Sequence, residues 1–181
     1  NVTAPITVTG AGCAIMGCHI IAGTSTALES ATPITVSTGA ADCRIVGNRF
    51  SATGGAVTTA CVSIAAAVAR TSVVGNRFFT KQSSATTGVI AIGAAATELD
   101  IGWNIIYNTV EDGIGIRHAD VAATGVIYNN YFGGVDAGGT VANALKCVSY
   151  AGSSHITRAF ENRALDEDSA TGVISPAAAT S

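Results

Sequence analysis

Apolar and polar residues alternate along this chain in short runs, and the alternation never lengthens into a helical pattern. Ile34-Thr35-Val36, Val62-Ser63-Ile64 and Ile90-Ala91-Ile92 each place one polar or small residue between two apolar ones. A period of two in runs rich in Val, Ile, Thr and Phe, punctuated by Gly-Ala, Gly-Asn and Ser-Ser, predicts strands joined by turns. Apolar spacing of the i, i+3, i+4 kind is not sustained anywhere, so helices are not expected.

The runs also repeat. Ile45-Val46-Gly47-Asn48-Arg49-Phe50 returns 28 residues later as Val73-Val74-Gly75-Asn76-Arg77-Phe78, and again as Ile101-Gly102-Trp103-Asn104-Ile105-Ile106. Ile127-Tyr128-Asn129-Asn130-Tyr131-Phe132 follows after 26, and a degraded copy around Asn162 after 32. Upstream, Ile15-Met16-Gly17-Cys18-His19-Ile20 has the same form with Cys in place of Asn. A second strand starts 14 residues before each Asn, at Ile34, Val62, Ile90, Ile116 and Val148. Ile6 opens the first copy with two residues fewer in its turn, and Ile174 opens a further coil. The return from each copy to the next strand varies from 12 to 18 residues, as surface loops do.

Residues one repeat apart can stack in columns only in a solenoid. The expected fold is all-β: one domain over residues 1–181, a single-stranded right-handed parallel β-helix of about six coils of ~28 residues. Asn48, Asn76, Asn104, Asn130 and Asn162 then form a structural ladder of side-chain amides, and the apolar residues three before and two after each Asn point inward. This I-x-G-N-x-F repeat resembles that of pectate-lyase-type right-handed β-helices, the superfamily that includes bacteriophage tailspikes. The resemblance spans nearly the whole chain and implies a fold far more than an activity, since lyases, hydrolases, adhesins and virion proteins share it.

Composition narrows the functional classes. The chain is 48% hydrophobic and only 12% charged, against about 25% charged in an ordinary globular protein. Ser, Thr, Asn and Gly must therefore make most of the surface. A formal net charge of −3 argues against a nucleic-acid partner. Mean hydropathy is positive, but Gly, Ser, Thr or a charge interrupts every apolar stretch, so no membrane span is expected. Five cysteines without a CxxC pair (Cys13, Cys18, Cys43, Cys61, Cys147) suggest neither zinc nor a disulfide framework, and buried free thiols are expected. No cofactor is implied.

The densest chemistry lies in Glu98, Asp100, Glu111, Asp112, Arg117, His118 and Asp120. Paired carboxylates could hydrolyse a glycoside, and His118 or Arg117 could assist proton abstraction in a lyase. Against this, Glu111-Asp112-Gly113 reads as an ordinary turn, Arg117 takes the outward position of Thr35 and Ser63, and the aspartate cluster that holds calcium in the lyases is not visible. Asp42, Arg70 and Glu98 fall in one column and read as a solvated ion ladder. Arg49, Arg77 and Arg163 share the column after the ladder Asn, either as solubilising charge or as a site for acidic sugar or carboxylates. Trp103 and Tyr128 are either a sugar-stacking platform or partly buried packing residues.

The outward positions Thr35, Ser37, Ser63, Ala65, Ala91 and Gly93 make a smooth, uncharged strip suited to close protein contact. The chain also begins almost in a strand and stops mid-coil, so either neighbouring subunits cover its ends or it is part of a longer polypeptide. These features, with the resemblance, lead to the expectation of a non-enzymatic virion-surface protein, tailspike-like or capsid-decorating. It would work as a homotrimer, contacting other virion proteins and cell-surface polysaccharide. The alternatives are a polysaccharide depolymerase, lyase or glycoside hydrolase, and a surface adhesin or ice-binding module.

Overall fold

A computed structural model of the protein describes residues 5–22, 32–52, 59–80, 87–108, 113–119, 122–133, 146–150, 158–164 and 174–175. Among these the chain is all β, a parallel β-solenoid with three walls of seven, six and six strands. The first wall stacks Ile6–Val8, Ile34–Val36, Val62–Ile64, Ile90–Ile92, Ile114–His118, Lys146–Tyr150 and Ile174–Ser175. The second stacks Ala14–Met16, Arg44–Val46, Ser72–Val74, Leu99–Gly102, Gly125–Tyr128 and Arg158–Phe160. The third stacks His19–Ala22, Arg49–Ala52, Arg77–Thr80, Ile105–Asn108, Tyr131–Gly133 and Arg163–Ala164.

The sequence repeat sets the register. Ile6, Ile34, Val62, Ile90, Ile116, Val148 and Ile174 face one another in order along the first wall. Along the third wall Ile20, Phe50, Phe78, Ile106 and Phe132 form an inward column. Phe50 and Phe78 stack there with ring centroids 4.6 Å apart. Each fully buried Ile or Phe contributes about 1.5–3 kcal/mol by leaving water, so these columns are the main stabilising element of the fold. The closed part of the stack is about four coils rather than six. Ile34 and Ile45 are fully buried, whereas their partners one coil earlier are not: Ile6 is 38% exposed and Ile15 only partly buried.

The corner between the second and third walls is held by the asparagines. Asn76 donates through Nδ2 to the Ile45 carbonyl at 2.8 Å and to Asn104 Oδ1 at 3.0 Å. Its Oδ1 accepts from the Asn48 backbone N–H at 2.9 Å and from Asn48 Nδ2 at 3.1 Å. The pattern repeats through Asn104, Asn130 and Asn162. At its start, Cys18 donates its N–H to Asn48 Oδ1 at 2.9 Å, and no amide side chain continues the column. The Cys18 thiol donates instead to the Met16 carbonyl at 3.4 Å, so the amide ladder begins one coil in, at Asn48.

The residue before each ladder position turns the chain in the left-handed region. Gly17, Gly47 and Gly75 do so at φ of 64°, 64° and 67°, which glycine adopts at no steric cost. Trp103, Asn129 and Glu161 follow in the same column at 56°, 49° and 53°. A second left-handed corner, before the second wall, uses Gly12, Asp42, Arg70 and Glu98.

Candidate binding surfaces

Of the charged cluster singled out from the sequence, the described members Glu98, Asp100, Arg117 and His118 stand on different faces. His118 occupies the inward column of the first wall, opposite Ile92 and Tyr150, and is fully buried. Its ring lies 5.2 Å from that of Tyr150, at 41°. His118, a weak catalytic candidate from the sequence, packs in the core while Asp100 and Glu98 stand outside it. The cause is strand alternation, since Ile116 points in, Arg117 out and His118 in. Arg117 reaches along the outer face to Ser149 Oγ through Nη1 at 2.6 Å. Glu98 is exposed at the left-handed corner, and Asp100 lies on the outward side of the second wall. Glu111, Asp112 and Asp120 lie outside the described residues. No group of three or more His, Cys, Asp or Glu able to hold a metal occurs among the described residues.

In the corner column, Arg70 forms a two-pronged pair with Asp42, Nε to Oδ1 at 2.5 Å and Nη2 to Oδ2 at 3.0 Å. The hydrogen bonds from Arg70 hold the Asp42 carboxyl below its usual range. Both side chains are about half exposed, so solvent screens the pair. Glu98 adds to the field that keeps Arg70 protonated.

The second wall carries an aromatic cluster near its far end. Tyr128 lies flat over Gly102, where an added Cβ would stand 2.5 Å from the ring, and stacks on Phe160 with centroids 5.6 Å apart at 17°. Partial burial and the neighbouring Asp100 carboxylate both push the Tyr128 hydroxyl pKa up. Trp103, one residue on from Gly102, has a side chain that is 54% exposed, while its backbone N–H donates to the Tyr128 carbonyl at 3.2 Å. Of the two aromatics named from the sequence, Tyr128 is thus a packing residue and Trp103 an open one.

The third wall presents a different outward face. Arg49 and Arg77 stand in register on successive coils, both exposed. The Arg49 guanidinium lies 5.6 Å from the centre of the Phe79 ring, and Phe79 is 6.1 Å from Tyr107. The sequence reading noticed the arginines but missed Phe79 and Tyr107. Their signal was available: both sit at the second outward position of their strand, where Ile21 and Ser51 stand in the earlier coils.

On the first wall Thr35, Ser63 and Ala91 face outward in register, with Ser37, Ala65 and Gly93 one step further along each strand. Ala65 and Gly93 are exposed and the other four partly so. Arg117 ends the small-residue strip in the next coil. The cysteines divide: Cys43, Cys61 and Cys147 are buried, whereas Cys13 and Cys18 are exposed, contrary to the expectation of five buried thiols.

Comparison with protein-family models, with curated proteins and with solved structures finds no match. Among the described residues no helix is long and apolar enough to cross a membrane.

Proposed function

We propose that this chain is a non-enzymatic structural protein of a virion surface, a tailspike-like or capsid-decorating β-solenoid that works as a homotrimer. The observation that carries the reading is the smooth strip on the first wall. Small side chains at Thr35, Ser63, Ala91, Ala65 and Gly93 repeat in register over three coils, so another chain can approach the backbone closely with little side-chain entropy to lose. The separation of His118 from Asp100 and Glu98 favours structure over catalysis, because general acid–base chemistry needs its groups within hydrogen-bond reach of one substrate. The virion assignment itself rests on the resemblance of the repeat.

The test is the mass of the full chain in solution, by light scattering. A trimer is expected, reduced to monomer by Ala65→Arg with the β circular-dichroism signal unchanged, because that side chain points outward. A stable, soluble monomer of the unmodified chain would refute the assembly. Release of reducing ends or unsaturated uronates from bacterial polysaccharides would refute the non-enzymatic reading.

A further inference from the structure

The repeat brings two of the five cysteines together. Cys13 and Cys43 occupy the same position on successive coils, each just before the second-wall strands in which Ala14 pairs with Arg44. Hydrogen bonds fix the register on both sides of the pair. The Gly12 backbone N–H donates to the Ala41 carbonyl at 2.8 Å, and that of Arg44 to the Cys13 carbonyl at 2.9 Å. Coils joined in this way stand about 4.8 Å apart, inside the Cα separation of roughly 4.4–6.8 Å that a disulfide spans. Thr71 and Leu99 continue the column on the next two coils and are buried with Cys43, whereas Cys13, in the first described coil, is exposed. Cys18, the other exposed thiol, follows the far end of the strand Ala14–Met16, about 10 Å along the wall from Cys13 and beyond bridging distance.

We propose that Cys13 and Cys43 are a redox pair, joined by a disulfide that fastens the first described coil to the second when the folded protein meets a small-molecule disulfide. The Cys13 thiolate, open to solvent, attacks one sulfur of that reagent; its S–S bond breaks, one small thiolate leaves, and a mixed disulfide forms on Cys13. Cys43 then loses its proton, attacks the Cys13 sulfur and expels the second small thiolate. Two protein thiols are oxidised, one small disulfide is reduced to two thiols, and the two protons end on those thiols. The order follows from the surroundings. Burial raises the Cys43 pKa and the adjacent Cys13 sulfur raises it further, so Cys43 is a poor first nucleophile and reacts once its target is held beside it. The bond closes a loop of about 30 residues and so restricts the opened form of this coil. A chain folded under reducing conditions is thereby locked on reaching an oxidising medium.

The test is incubation of the folded full chain with reduced or with oxidised glutathione, alkylation of the remaining thiols, and peptide mass mapping. Oxidation is expected to link the Cys13 and Cys43 peptides within one chain, and dithiothreitol to reverse the link. Cys18, whose stacked neighbour is Asn48, should stop at the mixed disulfide. Cys43→Ser should stop Cys13 there as well, and Cys13→Ser, a change at an exposed position, should leave Cys43 unmodified. Amide exchange at Ile15 should slow about a hundredfold on oxidation of the parent chain and not of Cys13→Ser. A lasting mixed disulfide on Cys13 of the parent chain overturns the proposal. So does a Cys13–Cys13 link between chains as the main product, or a Cys13–Cys43 link that leaves exchange at Ile15 unchanged.

Discussion

Asn76 shows what one side chain does in this fold. It closes two carbonyl contacts and two amide contacts at once, entirely out of water. Asn76→Ala leaves the Asn48 N–H and the Ile45 carbonyl buried without their partners, at about 1–3 kcal/mol for each such group. Asn162 is only partly buried, so Asn162→Ala is expected to lower the melting temperature less. Equal shifts for the two variants in a thermal melt would mean that the ladder does not stabilise by burial. The cysteines offer a second check at this scale. Burial pushes the Cys147 thiol up to about 11 and raises Cys43 as well, whereas Cys13 and Cys18 are exposed. A thiol reagent at pH 8 should therefore modify two cysteines quickly in the folded protein and the others only on unfolding; five fast thiols would contradict the packing. The ladder was legible because an amide at constant spacing has one structural use. The inward place of His118 was legible too, since it is the third residue of a triplet whose third member, in Val36, Ile64 and Ile92, always faces the core.

Walls and corners differ in how plainly the sequence encodes them. Each strand of the first wall carries its own alternation, so both its position and its register could be read from the apolar pairs. The corners are set by backbone conformation, which only glycine announces. Gly47 and Gly75 mark one corner, but Trp103, Asn129 and Glu161 turn the same way without that signal. Asp42, Arg70 and Glu98 read as an ion column, and the left-handed backbone of Arg70 and Glu98 had no trace in residue type. Replacing Glu98 by Gly should accordingly stabilise rather than weaken the fold, by relieving a conformation that costs a non-glycine residue about 1 kcal/mol, provided that its backbone stays in that region. A fall in melting temperature for Glu98→Gly would mean that its side chain contributes more than its backbone costs. Gly102 serves the opposite purpose, since its backbone is ordinary and its missing Cβ makes room for Tyr128. Gly102→Ala is expected to destabilise by about 1–3 kcal/mol through overpacking. Adding Tyr128→Ala should remove most of that penalty, and additive effects of the two changes in denaturant titrations would show that the rings do not meet the wall as described.

At the scale of the whole molecule, stability in a solenoid is close to a sum of coils and the interfaces between neighbours. The coil count was legible as a sequence repeat, but closure depends on what covers each coil, and a repeat does not encode that. The columns through Ile34, Ile45, Phe50, Val73, Phe78, Ile101, Ile106 and Phe132 are shielded on both sides, whereas among the described residues Ile6 and Ile15 pair on one side only. Among the described coils, opening should be easiest at the first, where Ile6 and Ile15 are already partly open to solvent, and hardest at the central ones, which have an interface on each side. Amide hydrogen exchange on the full chain reads this directly. The amides of Ile45, Val73 and Ile101 are expected to exchange only through near-global opening, and those of Thr7 and Ile15 through local fraying at much lower free energy. If a homotrimer forms along the first wall, dissociation by Ala65→Arg should lower protection at Thr35, Ser63 and Ala91 first and leave the ordering of the coils unchanged. Uniform protection from Thr7 to Phe132 would instead mean that the stack opens as one cooperative unit, and the nearest-neighbour account of its stability would have to be abandoned.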